Sequence, residues 1–155
     1  MKLYAASSWR CERFATIVDY LRGAGHEVYD FRDPAHAFDW RQVDPLWNGE
    51  EIPAARYREL LEHPRAAEGF ARDMGALEDA DAVVLITPCG ASAHLEAGWA
   101  VGAGKPLYIL TEEQQRPDLM YRMARLQTPW ISDIADALAI EFAATPTNQT
   151  TEGER

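Results

Sequence analysis

Two acidic side chains occupy positions where a carboxylate could do chemistry. Glu96 follows an apolar strand pattern and lies in the first turns of the next predicted helix, where the helix dipole favours an anion, so we expect it to stay ionised. Asp73 falls between Phe70 and Leu77 of another predicted helix, on or beside its apolar stripe. A carboxylate there needs partners or a function. Both acids also have ordinary interpretations, Glu96 as a helix-start residue and Asp73 as a surface partner of Arg72.

Small and basic residues near the same predicted helix starts could bind an oxyanion. Ser7, Ser8, Gly90 and Ser92 bring small side chains and backbone N–H groups to these positions, a generic arrangement for phosphate. Arg10 lies one step into the helix after the first strand and could pair with phosphate through two hydrogen bonds. Helix capping and a solvated arginine explain these residues equally well.

Aromatic residues and one histidine form a third group of candidates. Trp9, Trp40 and Trp47 stand near the predicted crevice and its covering loop, where they could stack on a base or cover the protein's own core. His94 could hydrogen bond a ligand, or it could be structural. The sequence contains no GxSxG, P-loop, GxGxxG or metal-ligand motif, so neither a cofactor nor a metal is predicted.

The elements that must position these residues alternate along the chain. Strands are predicted over residues 3–6, 26–31, 82–87, 106–110 and 128–131, and helices over 12–24, 53–62, 64–79, 92–103, 117–126 and 134–142. This alternation predicts a flavodoxin-like α/β sandwich with five parallel strands and helices on both faces. A single domain is expected over residues 1–144, interrupted by a long aromatic-rich loop at 32–52 and followed by a disordered polar tail at 145–155.

The strand order decides which loops meet. In the flavodoxin-like sheet the order in which strands are added reverses between the first and third strands. Ligands bind at that switch point, beyond the carboxyl ends of the strands. The loop at residues 7–10 should therefore lie beside the loop at 88–92.

Bulk composition excludes several classes of partner. The chain has 155 residues and a net charge of −10, which disfavours binding to a nucleic acid polymer because such binding depends on clustered basic residues. Two cysteines are too few for a disulfide framework. No apolar run approaches the roughly 20 residues of a membrane span, and the first residues do not have the pattern of a signal peptide. We expect a cytoplasmic protein with no membrane partner.

Three segments resemble the nucleoside 2-deoxyribosyltransferase superfamily, which includes the deoxynucleoside 5'-monophosphate N-glycosidases. The strongest is GASAHLEAGWAVGAGKP at residues 90–106, similar to that superfamily's small-residue loop, E-x-G-x-A and G-K-P before a strand. The others are DMGALEDAD at 73–81 and YAASSWR at 4–10. The resemblance implies that Glu96 is a nucleophile, that Asp73 contacts the sugar or base, and that Tyr4 orients Glu96.

The resemblance also implies a set of substrate contacts. A serine and an arginine at the places of Ser8 and Arg10 bind the 5'-phosphate in the monophosphate glycosidases, whereas the transferases have a tryptophan where Trp9 stands. The transferases also place an aspartate in the loop before the nucleophile, where this chain has Gly90 and Ser92. Met120 lies in a segment similar to one that reaches a neighbouring subunit's site, which implies a homo-oligomer. The full set of expected substrate contacts is Ser7, Ser8, Trp9, Arg10, Trp40, Gly90, Ser92, His94 and Met120.

The sequence therefore favours an N-glycosidase that cleaves the base–sugar bond of a small-molecule nucleoside or (deoxy)nucleoside 5'-monophosphate. Three alternatives stay open at this point. The first is a 2-deoxyribosyltransferase that exchanges bases, the second is a TIR-like NAD glycohydrolase, and the third is a noncatalytic nucleotide sensor.

Overall fold

The computed structural model describes residues 1–35 and 37–144, with the side chains of residues 142 and 144 left aside. The tail predicted at 145–155 lies outside the described residues. Strands and helices alternate along the chain. The strands are β1 (Lys2–Ala6), β2 (Glu27–Tyr29), β3 (Ala82–Ile86), β4 (Leu107–Leu110) and β5 (Leu126–Thr128); the helices are α1 (Phe14–Gly23), α2 (Ala54–Leu61), α3 (Pro64–Asp79), α4 (Ala91–Gly102) and α5 (Ile131–Ala144).

The strands form one parallel sheet in the order β2-β1-β3-β4-β5. This is the predicted flavodoxin-like order, and its switch point lies between β1 and β3. Tyr4 pairs with Val83 and Ala6 with Leu85, so the two strands end side by side. The Ser7 hydroxyl donates to the carbonyl of Ile86 at 2.8 Å and ties the two following loops together. The predicted meeting of the loops at 7–10 and 88–92 is confirmed.

The core has two halves, one on each face of the sheet. Because side chains alternate along a strand, Leu3 and Ala5 of β1 pack with the apolar face of α1 and with α5, which contributes Ile134 and Leu138. Tyr4 and Ala6 point to the other face, toward α3 and α4. All five residues of β3 are buried, as expected for a central strand covered on both sides. The tyrosine of β1 therefore lies on the face that carries both candidate acids.

The region after β4 corrects two predictions. No α-helix forms over 117–126; a short 3-10 turn spans Leu119–Met123, and the Asp118 side chain accepts a hydrogen bond from Met120 N at 2.9 Å at its start. The last strand is Leu126–Thr128 rather than 128–131, because Leu126 pairs with Tyr108 of β4. Pairing with β4 therefore places Leu126, which the local pattern assigned to the end of a helix, in a strand. Helix α5 accordingly begins at Ile131, before the predicted residue 134.

The long segment between β2 and α2 is irregular, as predicted, apart from a 3-10 turn at Trp40–Gln42. It is anchored on α3: a Cβ at Gly69 would lie 3.1 Å from the Phe38 ring, so this glycine permits the close approach. The expected burial of Leu77 on the α3 stripe is confirmed, but that of Phe70 is wrong, since Phe70 is exposed and its neighbour Gly69 is buried. Within the described part of the chain, no helix is both long and apolar enough to cross a membrane.

Candidate active site

Glu96 lies on α4, the helix that follows the central strand β3. The buried face of α4 consists of Ala93, Ala97 and Ala100, and side chains this small let the helix axis approach the sheet closely. Glu96 is next to this face and half-buried. Its carboxyl group hydrogen bonds the hydroxyl of Tyr4, a buried residue of the neighbouring strand β1. The structure thus brings together two of the predicted site residues.

Burial raises the pKa of Glu96 to about 7, and the charge of Asp73 adds to the rise. The hydrogen bond from Tyr4 acts in the opposite direction, since it stabilises the anion. The expectation that the helix dipole keeps Glu96 ionised is therefore wrong at acidic pH. Glu96 is the sixth residue of α4, and the effect of the dipole falls off within the first turn, whereas burial acts on the whole carboxyl group.

Asp73 lies on α3, and its charge acts on Glu96. Its carboxylate is held by a residue of strand β2. The hydroxyl of Tyr29, the last residue of β2, donates to Oδ1 of Asp73 at 2.6 Å. The Tyr29 ring also stacks on Tyr4, with ring centroids 5.3 Å apart and planes 18° from parallel. Asp73 is therefore not simply an edge residue paired with Arg72. Its partner was missed in the sequence, because only the parallel register of Tyr4 with Tyr29 places the two rings together.

Tyr4 and Tyr29 both stay protonated over the neutral range. Burial and then the negative charge of Glu96 raise the pKa of Tyr4, and burial and the hydrogen bond to Asp73 raise the pKa of Tyr29. A phenol in this state has one hydrogen to donate. Two phenols therefore serve two carboxyl groups in one cluster, which we call the acid cluster: Tyr4, Tyr29, Asp73 and Glu96.

The candidate oxyanion residues lie at the carboxyl end of the same strands. Ser8 Oγ accepts a hydrogen bond from Arg10 N at 3.2 Å, and the Arg10 side chain is exposed. Across the switch point, Gly90 is the N-terminal cap of α4 without a side-chain cap, and Ser92 is exposed in the first turn. The backbone N–H groups at a helix start favour an anion. Phosphate binding by these residues stays a prediction.

Two arginines that the sequence analysis did not single out hold these loops in place. Arg32 donates from Nη2 to the carbonyls of Ser8 and Cys11, the latter at 2.9 Å, and its Cζ lies 4.5 Å from the centre of the Phe14 ring. Arg13 donates to the carbonyls of Thr87 at 3.0 Å and Thr111 at 2.7 Å. Nothing in the local sequence distinguishes them from solvated arginines, because their acceptors are main-chain carbonyls.

Both ring nitrogens of His94 form hydrogen bonds within the protein. Nδ1 lies 2.8 Å from the carbonyl of Gly90, and Nε2 lies 3.1 Å from the hydroxyl of Tyr121. Because a carbonyl only accepts, Nδ1 carries the proton and Nε2 accepts from Tyr121. The ring connects the start of α4 to the 3-10 turn after β4. Ligand contact by His94 stays a prediction, and it would require one of these bonds to open.

The remaining predicted substrate contacts are Trp9, Trp40 and Met120. Trp9 is exposed and meets Phe31 edge-on at 5.5 Å, whereas Trp40 meets Phe38 edge-on at 5.0 Å. Met120 is exposed in the 3-10 turn, next to Tyr121. Across residues 1–35 and 37–144, the structure shows no hydrogen bond from these three side chains to the acid cluster. The same residues contain no group of three or more His, Cys, Asp or Glu side chains that could hold a metal ion.

Comparisons with known proteins support the fold. No protein-family model and no curated protein matches the chain. Among solved structures, the chain is similar to a 2-deoxyribosyltransferase from the psychrotolerant bacterium Bacillus psychrosaccharolyticus, with a TM-score of 0.59, 19% identity, and coverage of 88% of this chain and 91% of that one. A second similar structure is the CMP N-glycosidase BcmB of Clostridium botulinum, with a TM-score of 0.48, 16% identity, and coverage of 90% and 99%. The first of these structures confirms the predicted α/β fold.

Proposed function

We propose that this protein is an N-glycosidase that cleaves the base–sugar bond of a (deoxy)nucleoside 5'-monophosphate or nucleoside, with Glu96 as the nucleophile. One observation carries the proposal: Glu96 meets Tyr4 and Asp73 next to the switch point of the sheet, where folds of this order bind ligands. A half-buried carboxylate with a raised pKa and defined partners in such a place is a candidate for covalent catalysis.

The proposed reaction has two displacements. In the first, a carboxylate oxygen of Glu96 forms a bond to the anomeric carbon while the bond from that carbon to the base nitrogen breaks, and the electron pair leaves with the base. In the second, water attacks the same carbon, the bond to Glu96 breaks with its electron pair returning to the carboxylate, and the proton released by the water neutralises the base anion formed in the first step. The transition states resemble an oxocarbenium ion, as in retaining glycosidases.

The neighbours of Glu96 would have distinct roles. Tyr4 donates to the Glu96 carboxyl group and so orients the attacking oxygen and stabilises its anion. Oδ1 of Asp73 accepts a hydrogen bond from Tyr29, and we assign Asp73 to accept a second hydrogen bond from a hydroxyl of the sugar. A carboxylate close to the oxocarbenium-like centre also favours the positive charge that develops there.

The phosphate would bind between the loop after β1 and the start of α4, on either side of the switch point. Arg10 supplies a full positive charge, and Ser8, Ser92 and the first N–H groups of α4 supply hydrogen bonds. Gly90 and Ser92 stand where the transferases carry an aspartate, which favours water as the acceptor. A monophosphate is therefore the first substrate class to test.

The test is release of free base, followed by chromatography. Wild type is incubated with ribo- and deoxyribonucleoside monophosphates, the matching nucleosides, and NAD. We expect base and sugar phosphate from at least one monophosphate, and a fall of at least about 10³-fold for Glu96→Gln, because the nucleophile is removed. The control is Glu62→Gln, which changes an exposed glutamate at the end of α2 and should leave the rate unchanged.

Several results would contradict this proposal. Cleavage of NAD alone would identify an NAD glycohydrolase instead. Tight nucleotide binding without base release, unchanged by Glu96→Gln, would identify a sensor. Base exchange with an added free base, without net hydrolysis, would identify a transferase, which is the activity named for the Bacillus psychrosaccharolyticus neighbour.

We also propose that the protein self-associates. Leu95 and Trp99 lie one turn apart on α4 and are 75% and 38% exposed, and Phe70 on α3 is 69% exposed. Large apolar side chains exposed one turn apart on the same helix favour burial against another surface. Analytical ultracentrifugation of wild type and Leu95→Glu tests this: a shift to monomer in the variant supports the proposal, and a monomeric wild type overturns it.

A further inference from the structure

Tyr29 hydrogen bonds Asp73 and is not among the residues that the motifs point to. It ends β2, an edge strand whose backbone pairs with β1 so that Tyr29 and Tyr4 lie side by side. Its ring stacks on Tyr4 at 5.3 Å, and its hydroxyl reaches across to α3, where it donates to Oδ1 of Asp73 at 2.6 Å. One residue therefore contacts both the residue that bonds Glu96 and the second acid.

The carboxylate of Asp73 sets the direction of this hydrogen bond. Because a carboxylate only accepts, the single hydroxyl hydrogen of Tyr29 is directed to Oδ1 of Asp73. Stacking on Tyr4 fixes the Tyr29 ring, so this short hydrogen bond holds the Asp73 carboxylate in one orientation.

We propose that Tyr29 is a positioning residue for the reaction: it fixes the carboxylate of Asp73 beside Glu96 and commits Oδ1, so that Oδ2 is the oxygen that meets the sugar. This inference rests on the proposed function for its role in catalysis. It concerns the charge state of the acid cluster, which can be measured without turnover.

The proposal has a defined consequence for protonation. The titratable and charged groups that face one another here are Tyr4 from β1, Tyr29 from β2, Arg72 and Asp73 from α3, Glu96 from α4, and Cys89 from the loop before α4. The charge of Asp73 adds to the rise in the pKa of Glu96. Without the Tyr29 hydroxyl, the Asp73 carboxylate is no longer held beside Glu96, so the pKa of Glu96 should move to lower pH.

The test compares Tyr29→Phe with wild type by a ¹³C NMR titration of the carboxyl group of Glu96. We expect the pKa of Glu96 to fall by up to about one unit, which is a tenfold change in proton affinity, because the charge of Asp73 is no longer held beside it. The acid limb of kcat should move to lower pH by the same amount, and kcat above the limb should fall about tenfold, since the sugar loses a fixed partner. Phenylalanine keeps the stacking on Tyr4, so the effect isolates the hydroxyl.

The control is Tyr108→Phe. Tyr108 is also a tyrosine whose hydroxyl donates to a carboxylate, that of Glu141, but it packs on the opposite face of the sheet. Tyr108→Phe should lose stability without moving the pKa of Glu96. If Tyr29→Phe leaves the NMR titration unchanged, the proposal is overturned, whatever the activity. If the titration shifts but wild type releases no base from any nucleotide, the positioning of Asp73 stands and the proposed function fails.

Discussion

The hydroxyl of Tyr4 on β1 hydrogen bonds the carboxyl group of Glu96 on α4. The bond joins a fully buried strand residue to a half-buried helix residue across the layer between sheet and helix. It lowers the pKa of a carboxyl group that burial and Asp73 raise, so the protonation of Glu96 reflects a balance of opposing effects. That balance determines the pH at which the proposed nucleophile becomes active.

The pH dependence of the reaction should follow Glu96. A nucleophilic carboxylate must be ionised, and burial places the pKa of Glu96 at about 7. We expect kcat/KM to be constant above this pH and to fall about tenfold per pH unit below it, since kcat/KM reports groups of the free enzyme. A rate profile measured from pH 5 to 9 checks this. A profile that stays flat down to pH 5 would contradict it.

Substitution of Tyr4 by phenylalanine should move the acid limb of this pH profile, the part in which kcat/KM falls with decreasing pH. Without the hydroxyl, the Glu96 anion loses a donor, so its pKa rises and less of the enzyme is active at pH 7. We expect the acid limb to move to higher pH by about one unit, because a hydrogen bond to a charged group contributes roughly 1.5–3 kcal/mol. The same profile measured on Tyr4→Phe is the check; a limb at the wild-type pH would show that the bond does not control Glu96.

Glu96→Gln should also change the pH dependence of folding stability. The pKa of Glu96 is about 7 in the folded chain against an ordinary 4.5, so between these pH values the native state binds more protons than the unfolded state. The raised pKa of Glu96 therefore contributes to the free energy of unfolding of wild type. This contribution is present in full below pH 4.5 and is lost as pH rises through 7. Glutamine does not ionise, so the variant should gain relative to wild type between pH 5 and pH 8, by up to about 3 kcal/mol.

Urea unfolding of the two proteins at pH 5 and pH 8 measures this difference. Other titrating groups are common to both proteins and cancel in the comparison. Glu62→Gln, at an exposed site, should track wild type at both pH values. A stability difference between Glu96→Gln and wild type that is the same at pH 5 and pH 8 would place the pKa of Glu96 near its ordinary value.

Arg10→Ala tests the phosphate site. We expect KM for a monophosphate to rise roughly 10- to 100-fold, because a charge-assisted hydrogen bond to phosphate contributes about 1.5–3 kcal/mol, and KM for the matching nucleoside to stay unchanged. Arg58→Ala removes an exposed arginine of α2 and serves as the control. Equal effects of Arg10→Ala on nucleotide and nucleoside would remove this arginine from the phosphate site.

Arg32→Lys tests the support of the loop that carries Ser8. The guanidinium of Arg32 binds the carbonyls of Ser8 and Cys11 and lies over the ring of Phe14. An ammonium cannot reproduce this planar arrangement. We expect a loss of about 1–3 kcal/mol in the free energy of unfolding and a higher KM for a monophosphate.

Arg22→Lys is the matched control for this substitution, since among the described residues Arg22 donates to a single carbonyl, that of Val28, at 3.1 Å. A lysine can replace a single hydrogen bond, so this variant should stay close to wild type in urea unfolding. If Arg32→Lys is as stable as Arg22→Lys, the two carbonyl bonds do not hold the loop.

Much of the architecture follows from local pattern. The apolar run at 82–87 predicts a central strand, and the observed β3 (Ala82–Ile86) is buried along its length. The helix predicted over 64–79 has the observed bounds of α3, because proline suits a first turn and the apolar stripe continues to Leu77. The prediction fails where local and long-range preferences compete, as at Leu126, which local pattern assigns to a helix and β4 recruits as a strand.

The sequence by itself determined the order of strands and helices and brought forward Glu96, Asp73 and Tyr4, because burial patterns and motif spacing are local properties. Tertiary structure alone decided how these residues act on one another. The bond of Tyr29 to Asp73, the raised pKa of Glu96 and the carbonyl contacts of Arg32 all depend on strand register and helix packing. Hydrogen bonds and electrostatic coupling act over a few ångströms, and only folding brings residues distant in sequence that close.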